Sequence, residues 1–278
     1  MDLTLAFVTD IHVGPEARFQ GKLRKLSHRA PDLLGAFVER MNTVVRPDAV
    51  VHLGDAIEDE GRAEDEERYQ LVVDSLKKLS CPVIHVAGNH DTIHLTAADL
   101  VRVWGEPAGQ AFRAFDVGGY RLVVLHTHEI KGERVFIDEP QLSWLEAELG
   151  RPGAPVIVVM HHSAADQVLE GNRWFEGRPH LCLVQERKRL RSILEDSGRV
   201  LLVVNGHLHW NHLAMHGAVP YLTLQSLIEN LDDDAPGRPA NAHAVVRVTP
   251  RRVFVQIEGE ERARYQFSPS AAGRVGRG

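Results

Sequence analysis

The sequence predicts an α/β layered fold with a largely parallel sheet, and three observations carry that expectation. Six short apolar runs recur along the 278 residues, they are near-continuous rather than alternating, and amphipathic segments lie between several of them. Continuous apolar strands are the habit of sheets covered on both faces. Strand–helix alternation is the chain order of parallel sheets.

The runs are "LTLAFV" (3–8), "AVVHL" (49–53), "PVIHVA" (82–87), "YRLVVL" (120–125), "PVIVVM" (155–160) and "RVLLVV" (199–204). Residues 32–45 put apolar groups at helical spacing behind Asp32, which is placed as the N-cap. Residues 64–79 run from acidic to basic, as a helix dipole prefers. Residues 139–149 repeat the habit with Pro140 at an early helical position, and residues 184–196 form the fourth expected helix. The C-terminal part changes character: "VPYLTLQS", "HAVVRVTP" and "RRVFVQIEG" read as strands joined by turns, so mixed or antiparallel pairing is expected there. With no repeat and no linker in view, the reading is one domain over 1–267 and a flexible tail, "SPSAAGRVGRG", over 268–278.

Composition narrows the function classes. Apolar residues are 44% and charged residues 25%, an ordinary globular balance, with a net charge of −6 and no long basic run. That argues against a dedicated nucleic-acid or anionic-membrane partner. It leaves a small anionic substrate open, because bound metal ions would dominate the local field. Cys81 and Cys182 are the only cysteines, so no disulfide framework is implied and a reducing compartment fits. The N-terminal stretch lacks a basic region before its short apolar run, and no segment approaches about 20 apolar residues. The expectation is a cytoplasmic protein without a membrane span; an oligomer is left open.

The chemistry is read from the residues at the exit of each run, because ligands of open α/β sheets sit beyond the carboxyl ends of the strands. The first run exits into Asp10-Ile11-His12, the second into Gly54-Asp55 and the third into Gly88-Asn89-His90-Asp91. The fifth exits into His161-His162, and the sixth into Gly206-His207-Leu208-His209. Alternate residues of an extended segment face the same way, so His207 and His209 are expected to point at a common object. Carboxylates suit hard cations and imidazoles suit borderline ones. About seven donors are too many for one tetrahedral zinc but right for two ions sharing a bridge. Taken singly, each piece has a bland explanation: a turn, a cap or a surface histidine. Five in order, each directly behind an apolar run, do not.

The ordered set "DIH…GD…GNHD…HH…GHLH" resembles the calcineurin-like metallophosphoesterase family over residues 10 to 209. The resemblance implies a four-layer αββα sandwich with two central mixed β-sheets and a dinuclear centre at their carboxyl edge. It implies that Asp10, His12 and His209 hold one metal ion, that Asn89, His161 and His207 hold the other, and that Asp55 bridges them. Mn, Fe or Zn would serve, in divalent or trivalent form. His90 would meet the substrate phosphate and a metal-bound hydroxide would be the nucleophile; Asp91 would orient His90 or serve only as a cap or turn residue. Within the family the motifs most resemble the phosphodiesterase branch acting on cyclic nucleotides and glycerophosphodiesters. A nucleotide-diphosphate or monoester substrate is the alternative.

Some positions stay outside the pattern. His126 and His128 end the fourth run where relatives resembling this branch often carry Asp near 126, and Ser163 stands where many place Pro. Substrate contacts from His126, His128 or His162, or merely structural roles for them, are both open. The stretch "GNRWFEGRPHLC" (171–182) reads as a surface loop on aromatic anchors, or as a lid or base-stacking surface in which Arg173 or Arg178 meets phosphate. The acidic run "EDEGRAEDEE" (58–67) reads as a solvated loop and helix start. Two rivals remain: an amidohydrolase, which would carry His-x-His on its first strand rather than its last, and a non-catalytic scaffold of the same fold.

Overall fold

The computed structural model describes residues 2–106 and 111–268; all but the first residue of the expected C-terminal tail lies outside them. The first half of the described chain contains β1 (Leu3–Val8), β2 (Ala17–Phe19), β3 (Lys22–Lys25), α1 (Ala30–Arg40), β4 (Ala49–His52), α2 (Arg62–Leu76), β5 (Val83–His85), α3 (Ala97–Trp104), β6 (Arg113–Val117) and β7 (Tyr120–Val124). The second half contains β8 (His128–Ile130), β9 (Arg134–Phe136), α4 (Glu139–Leu149), β10 (Val156–Val159), α5 (Arg187–Asp196), β11 (Val200–Asn205), β12 (His212–His216), β13 (Val219–Thr223), β14 (His243–Val248), β15 (Val253–Glu258) and β16 (Ala263–Phe267).

Two six-stranded mixed sheets result, in the orders β16-β15-β14-β1-β4-β5 and β12-β13-β11-β10-β7-β6. The strands β1, β4 and β5 are parallel, as are β7, β10, β11 and β13, and antiparallel strands complete each sheet. Alternation within the apolar runs builds the layers. Leu3, Leu5 and Phe7 of β1 meet Ile157, Val159, Leu202 and Val204 in the core between the sheets. Ala6 and Val8 turn the other way, onto α1, α2 and α3. Val156, Val158, Val200 and Val203 do the same beneath α4 and α5. The continuous hydrophobicity thus has its expected cause, and the fold is the αββα sandwich.

The helices follow local signals. Asp138 caps α4, its carboxylate accepting the Gln141 N–H at 3.0 Å, and Thr96 and Asp99 form a capping box on α3, a helix that the sequence reading did not place. Asp32 is not the N-cap of α1: the helix begins two residues earlier, Pro31 occupies its first turn, and Asp32 caps nothing. Among the described residues no helix is long and apolar enough to cross a membrane.

Candidate metal centre

The parallel strands of both sheets end at one edge, and the turns beyond them interlock. The Asp10 N–H donates to Gly54 O, His12 N–H to Asp55 O, and Gly206 N–H to His161 O, each at 3.0 to 3.1 Å. So close an approach leaves no room for side chains: a Cβ on Gly88 would stand 2.2 Å from the Asp55 nitrogen, and one on Gly206 2.0 Å from the Thr9 hydroxyl. Asp10, His12, Asp55, His207 and His209 all have positive φ, between 47° and 68°. For residues with a Cβ this costs on the order of 1 kcal/mol each, and it persists only where the surroundings impose it.

This backbone corrects the strand argument for His207 and His209. The strand β11 ends at Asn205, and both histidines lie in a left-handed turn, so they serve different neighbours. His209 gathers with Asp10 and His12, whereas His207 gathers with His161 and His162; within each group the ligand atoms lie within 4.8 Å of one another, as they do for Asp10, Asp55 and His161. Asp55 joins the two groups. Its Oδ2 is 3.6 Å from His12 Nε2 and 3.4 Å from His161 Nε2, while Oδ1 accepts the His90 N–H at 2.9 Å. Asn89 Oδ1 lies 3.0 Å from His161 Nε2.

Each of the four histidines spends one nitrogen on an outward oxygen. His12 Nδ1 reaches Glu58 Oε2 at 3.0 Å, His161 Nδ1 reaches Leu53 O at 2.8 Å, His207 Nε2 reaches Leu181 O at 3.1 Å, and His209 Nδ1 reaches Glu229 Oε2 at 2.7 Å. Placing the proton on those nitrogens leaves the other nitrogen of each ring as a bare lone pair. For His12 and His209 these Nε2 atoms lie 3.2 Å apart, beside Asp10 and Asp55. Lone pairs and carboxylates facing one another with ring orientation fixed from behind are a donor set that fits cations.

The electrostatics agree. Burial would raise the Asp10 carboxyl, but His209 outweighs it and holds it at about 2. Burial would lower His161 and His209, yet Asp55 and Asp10 respectively raise both to about 9. Charge concentrated in this way, at residues no more than 8% exposed, attracts protons or metal ions.

Two expectations need correction. Asp91 does not orient His90. Its carboxylate accepts the backbone N–H groups of Asp55, Ala56 and Gly88 at 2.8 to 2.9 Å and so pins the turns that carry Asp55 and Asn89. Burial and the Asp55 carboxylate raise it to about 7 in spite of those bonds. The partner of His90 is Asp59, whose Oδ1 lies 2.5 Å from Nδ1. The second correction stems from it. The acidic run at 58–67 is not simply solvated, because Glu58 and Asp59 turn inward and Asp65 is fully buried, accepting the Glu60 N–H.

The remaining candidates lie further out. His126 and His128 pack edge to face at 4.5 Å, His128 stacks on Phe136, and its Nε2 faces Asp138 at 3.7 Å. His162 leans on His207 with ring centroids 4.1 Å apart, and its Nδ1 meets Thr127 Oγ1 at 2.7 Å. The Arg173 guanidinium donates to the carbonyls of Asn230 and Leu231, which occupies it with backbone rather than a substrate. The loop around it packs against the centre: Phe175 lies 4.7 Å from the His207 ring and Trp174 5.5 Å from that of His209. Glu58, Asp59, Glu229, Thr127 and Lys25 are the residues sequence reading missed. Only the first two carried a signal, standing three and four places after Asp55.

Comparison with known proteins supports the same conclusion. A "Probable cyclic nucleotide phosphodiesterase" of a Synechococcus strain is 26% identical over 224 residues, 80% of this chain and 79% of that protein. A "Probable glycerophosphodiester phosphodiesterase" of Arcobacter nitrofigilis is 27% identical over 221 residues, 74% of each. The crystal structure of a dimetal phosphatase from Danio rerio superposes with a TM-score of 0.79 at 18% identity, covering 96% of this chain and 99% of that one, which establishes the likeness of fold. The model of the calcineurin-like phosphoesterase family matches residues 3–211. The chain therefore belongs to that family and is a metal-dependent phosphoesterase.

Proposed function

We propose that the chain hydrolyses phosphodiesters of small molecules, of the cyclic-nucleotide or glycerophosphodiester type, at a centre of two metal ions. The observation that carries this reading is Asp55 Oδ2, which faces a ring nitrogen of each donor group at 3.4 and 3.6 Å. Asp10, His12 and His209 would hold one ion, Asn89, His161 and His207 the other, and Asp55 both; Mn, Fe or Zn suits this mixture of oxygen and nitrogen donors. When bound, such a pair supplies an activated water and neutralises phosphoryl charge.

The chain's own groups do the rest. Glu58, Glu229 and the carbonyls of Leu53 and Leu181 keep the ligand rings in register. His90 stands beside the centre with Nδ1 on Asp59 and its backbone on Asp55, and is the proposed contact of the substrate phosphate. The diester is preferred over the monoester because two of the relatives are named as probable phosphodiesterases.

The test is hydrolysis of bis-p-nitrophenyl phosphate beside p-nitrophenyl phosphate by Mn²⁺-loaded protein. The diester should be turned over with the higher kcat/KM. Asp55→Ala and Asn89→Ala should each lower that value by about a thousandfold or more while the protein stays folded. A preference for the monoester would reject the diesterase reading, and wild-type activity in Asp55→Ala would reject the centre itself.

A further inference from the structure

The ammonium of Lys25, at the end of the hairpin strand β3, stands behind the His12 ring on its Nδ1 side and beside Nε2 of His90. Lys25 is only 4% exposed. Its Nζ donates to Glu58 Oε2 at 2.7 Å, lies 3.3 Å from His90 Nε2 and 3.4 Å from His12 Nδ1, and sits 5.3 Å from the centroid of the Trp174 ring. His12, Glu58 and His90 together form a fourth cluster of ligand-type atoms within 4.8 Å of one another. The ammonium stands where a further cation would gather them.

Counting hydrogens shows what this ammonium has to spare. An ammonium carries three N–H groups and no acceptor. Glu58 takes one and His90 Nε2 takes another, since Asp59 occupies the Nδ1 side of that ring. His12 Nδ1 cannot take the third. Its proton goes to Glu58 so that Nε2 can face Asp10, Asp55 and His209 with a lone pair. One N–H of a buried cation is therefore left with the Trp174 ring but no oxygen or nitrogen acceptor, at a costly place to leave it. His90, accepting from Lys25, has no N–H of its own to offer an anion from Nε2.

We propose that Lys25 is a tethered third cation of the centre, whose free N–H meets a phosphoryl oxygen of the substrate, and that His90 and Glu58 position it. This rests on the two-metal reading above and reassigns the phosphate contact within it from the His90 ring to the ammonium that the ring holds. The chemistry recognised is the phosphoryl group itself, so the product phosphate and its mimics should sense Lys25 as the diester does.

The experiment uses full-length protein loaded with Mn²⁺, measuring metal content and the affinity for inorganic phosphate by calorimetry alongside kcat/KM for bis-p-nitrophenyl phosphate. Lys25→Met should retain the wild-type metal content, bind phosphate about tenfold more weakly or worse, and lose a similar factor in kcat/KM. Lys25→Arg should recover most of both. Because Lys25→Met leaves the Glu58 carboxylate without its cation and can destabilise the fold, the double variant Lys25→Met/Glu58→Gln removes both charges and should show the same loss. Phosphate affinity within twofold of wild type in either variant, with metal retained, overturns the proposal alone. Loss of metal from Lys25→Met also overturns it, showing that Lys25 supports the ligands instead; the metal content of the double variant is judged against Glu58→Gln alone, because Glu58 anchors His12. A wild-type protein that takes up no metal removes the two-metal reading and this inference together.

Discussion

Six of the buried histidines near the carboxyl edge of the sheets fall into two sets. His12, His161, His207 and His209 stand in the turns beyond the strands; His52 and His85 are the last residues of β4 and β5 and face one another across the sheet. None of the six is more than 7% exposed, so burial does not separate them. Partners do. Each member of the first set gives one nitrogen to an oxygen behind it. Neither nitrogen of His52 has a hydrogen-bond partner, nor does His85 Nδ1. These two rings pack as hydrocarbon, His52 against His85 at 5.8 Å and His85 stacked on Trp104 at 5.6 Å. A ring is readied for a proton or metal by the acceptor that fixes it and, at His12, His161 and His209, by the carboxylates that face it.

The largest effect expected from this contrast is on acid stability. Burial, against a weaker pull from Asp10, lowers His52 to about 4, and burial, with His52 and Arg113 adding to it, lowers His85 well below the usual imidazole range. The unfolded chain takes up a proton at each position near the ordinary value of about 6.5, and the folded chain resists until its own, lower value. Stability from His52 is therefore whole above about pH 6.5 and is lost as pH falls toward 4. The loss is about 2 kcal/mol between pH 7.5 and 5, and about 3 kcal/mol once the folded value is passed. Urea unfolding of wild type and His52→Leu at both pH values measures it as the difference between their slopes. Parallel slopes would mean that His52 has an acceptor, and the two sets would merge.

The same contrast explains what was legible in the sequence. The strands that deliver donors are apolar on both faces, and donors stand at their exits in unbroken motifs, so the sandwich edge could be read directly. The hairpin of β2 and β3 could not: "ARFQGKLRK" is charged and short, and its turn at Gln20-Gly21 is marked by positive φ at both residues rather than by an Asn-Gly pair. Lys25 went unseen with it, because an ammonium is no ligand and no metal motif contains one. Glu229 went unseen because its role is to hold His209 from a loop 20 residues downstream. Asp91 could not be settled from sequence for the opposite reason: it adjoins His90, yet a 3-10 turn over His90–Thr92 carries its carboxylate back beneath Asp55.

Glu229 gives the next effect in size. Its Oε2 accepts from His209 Nδ1 at 2.7 Å and from Trp174 Nε1 at 3.0 Å, joining the ring to the 171–182 loop. Glu229→Ala would leave His209 as unanchored as His52. Weakening of metal binding by ten- to a hundredfold is expected, about 1.4 to 2.8 kcal/mol, read as the dissociation constant for Mn²⁺. Glu229→Gln keeps an acceptor oxygen and should lose less. An unchanged constant in Glu229→Ala would show that carboxylates in front of the ring suffice without one behind it.

His162 belongs to neither set and so gives the smallest and sharpest test. Its Nδ1 has Thr127 Oγ1 at 2.7 Å, as a ligand histidine would have an outward partner, but its Nε2 has no hydrogen-bond partner, as in His52. Burial, with His207 and His161 adding to it, holds it well below the usual range, and no carboxylate stands among its hydrogen-bond partners. His12, His161 and His209 combine an anchor with a facing carboxylate; His162 has an anchor alone, as His207 does, and with a hydroxyl rather than a carbonyl behind it is expected to act as a packed ring. Thr127→Val removes the hydroxyl at nearly constant volume. It should cost about 1 kcal/mol of unfolding free energy, with metal content and kcat/KM unchanged within experimental scatter. A fall in metal content would instead place His162 among the donors of the His161 and His207 group, and would show that the anchor behind a ring matters more than the charge in front of it.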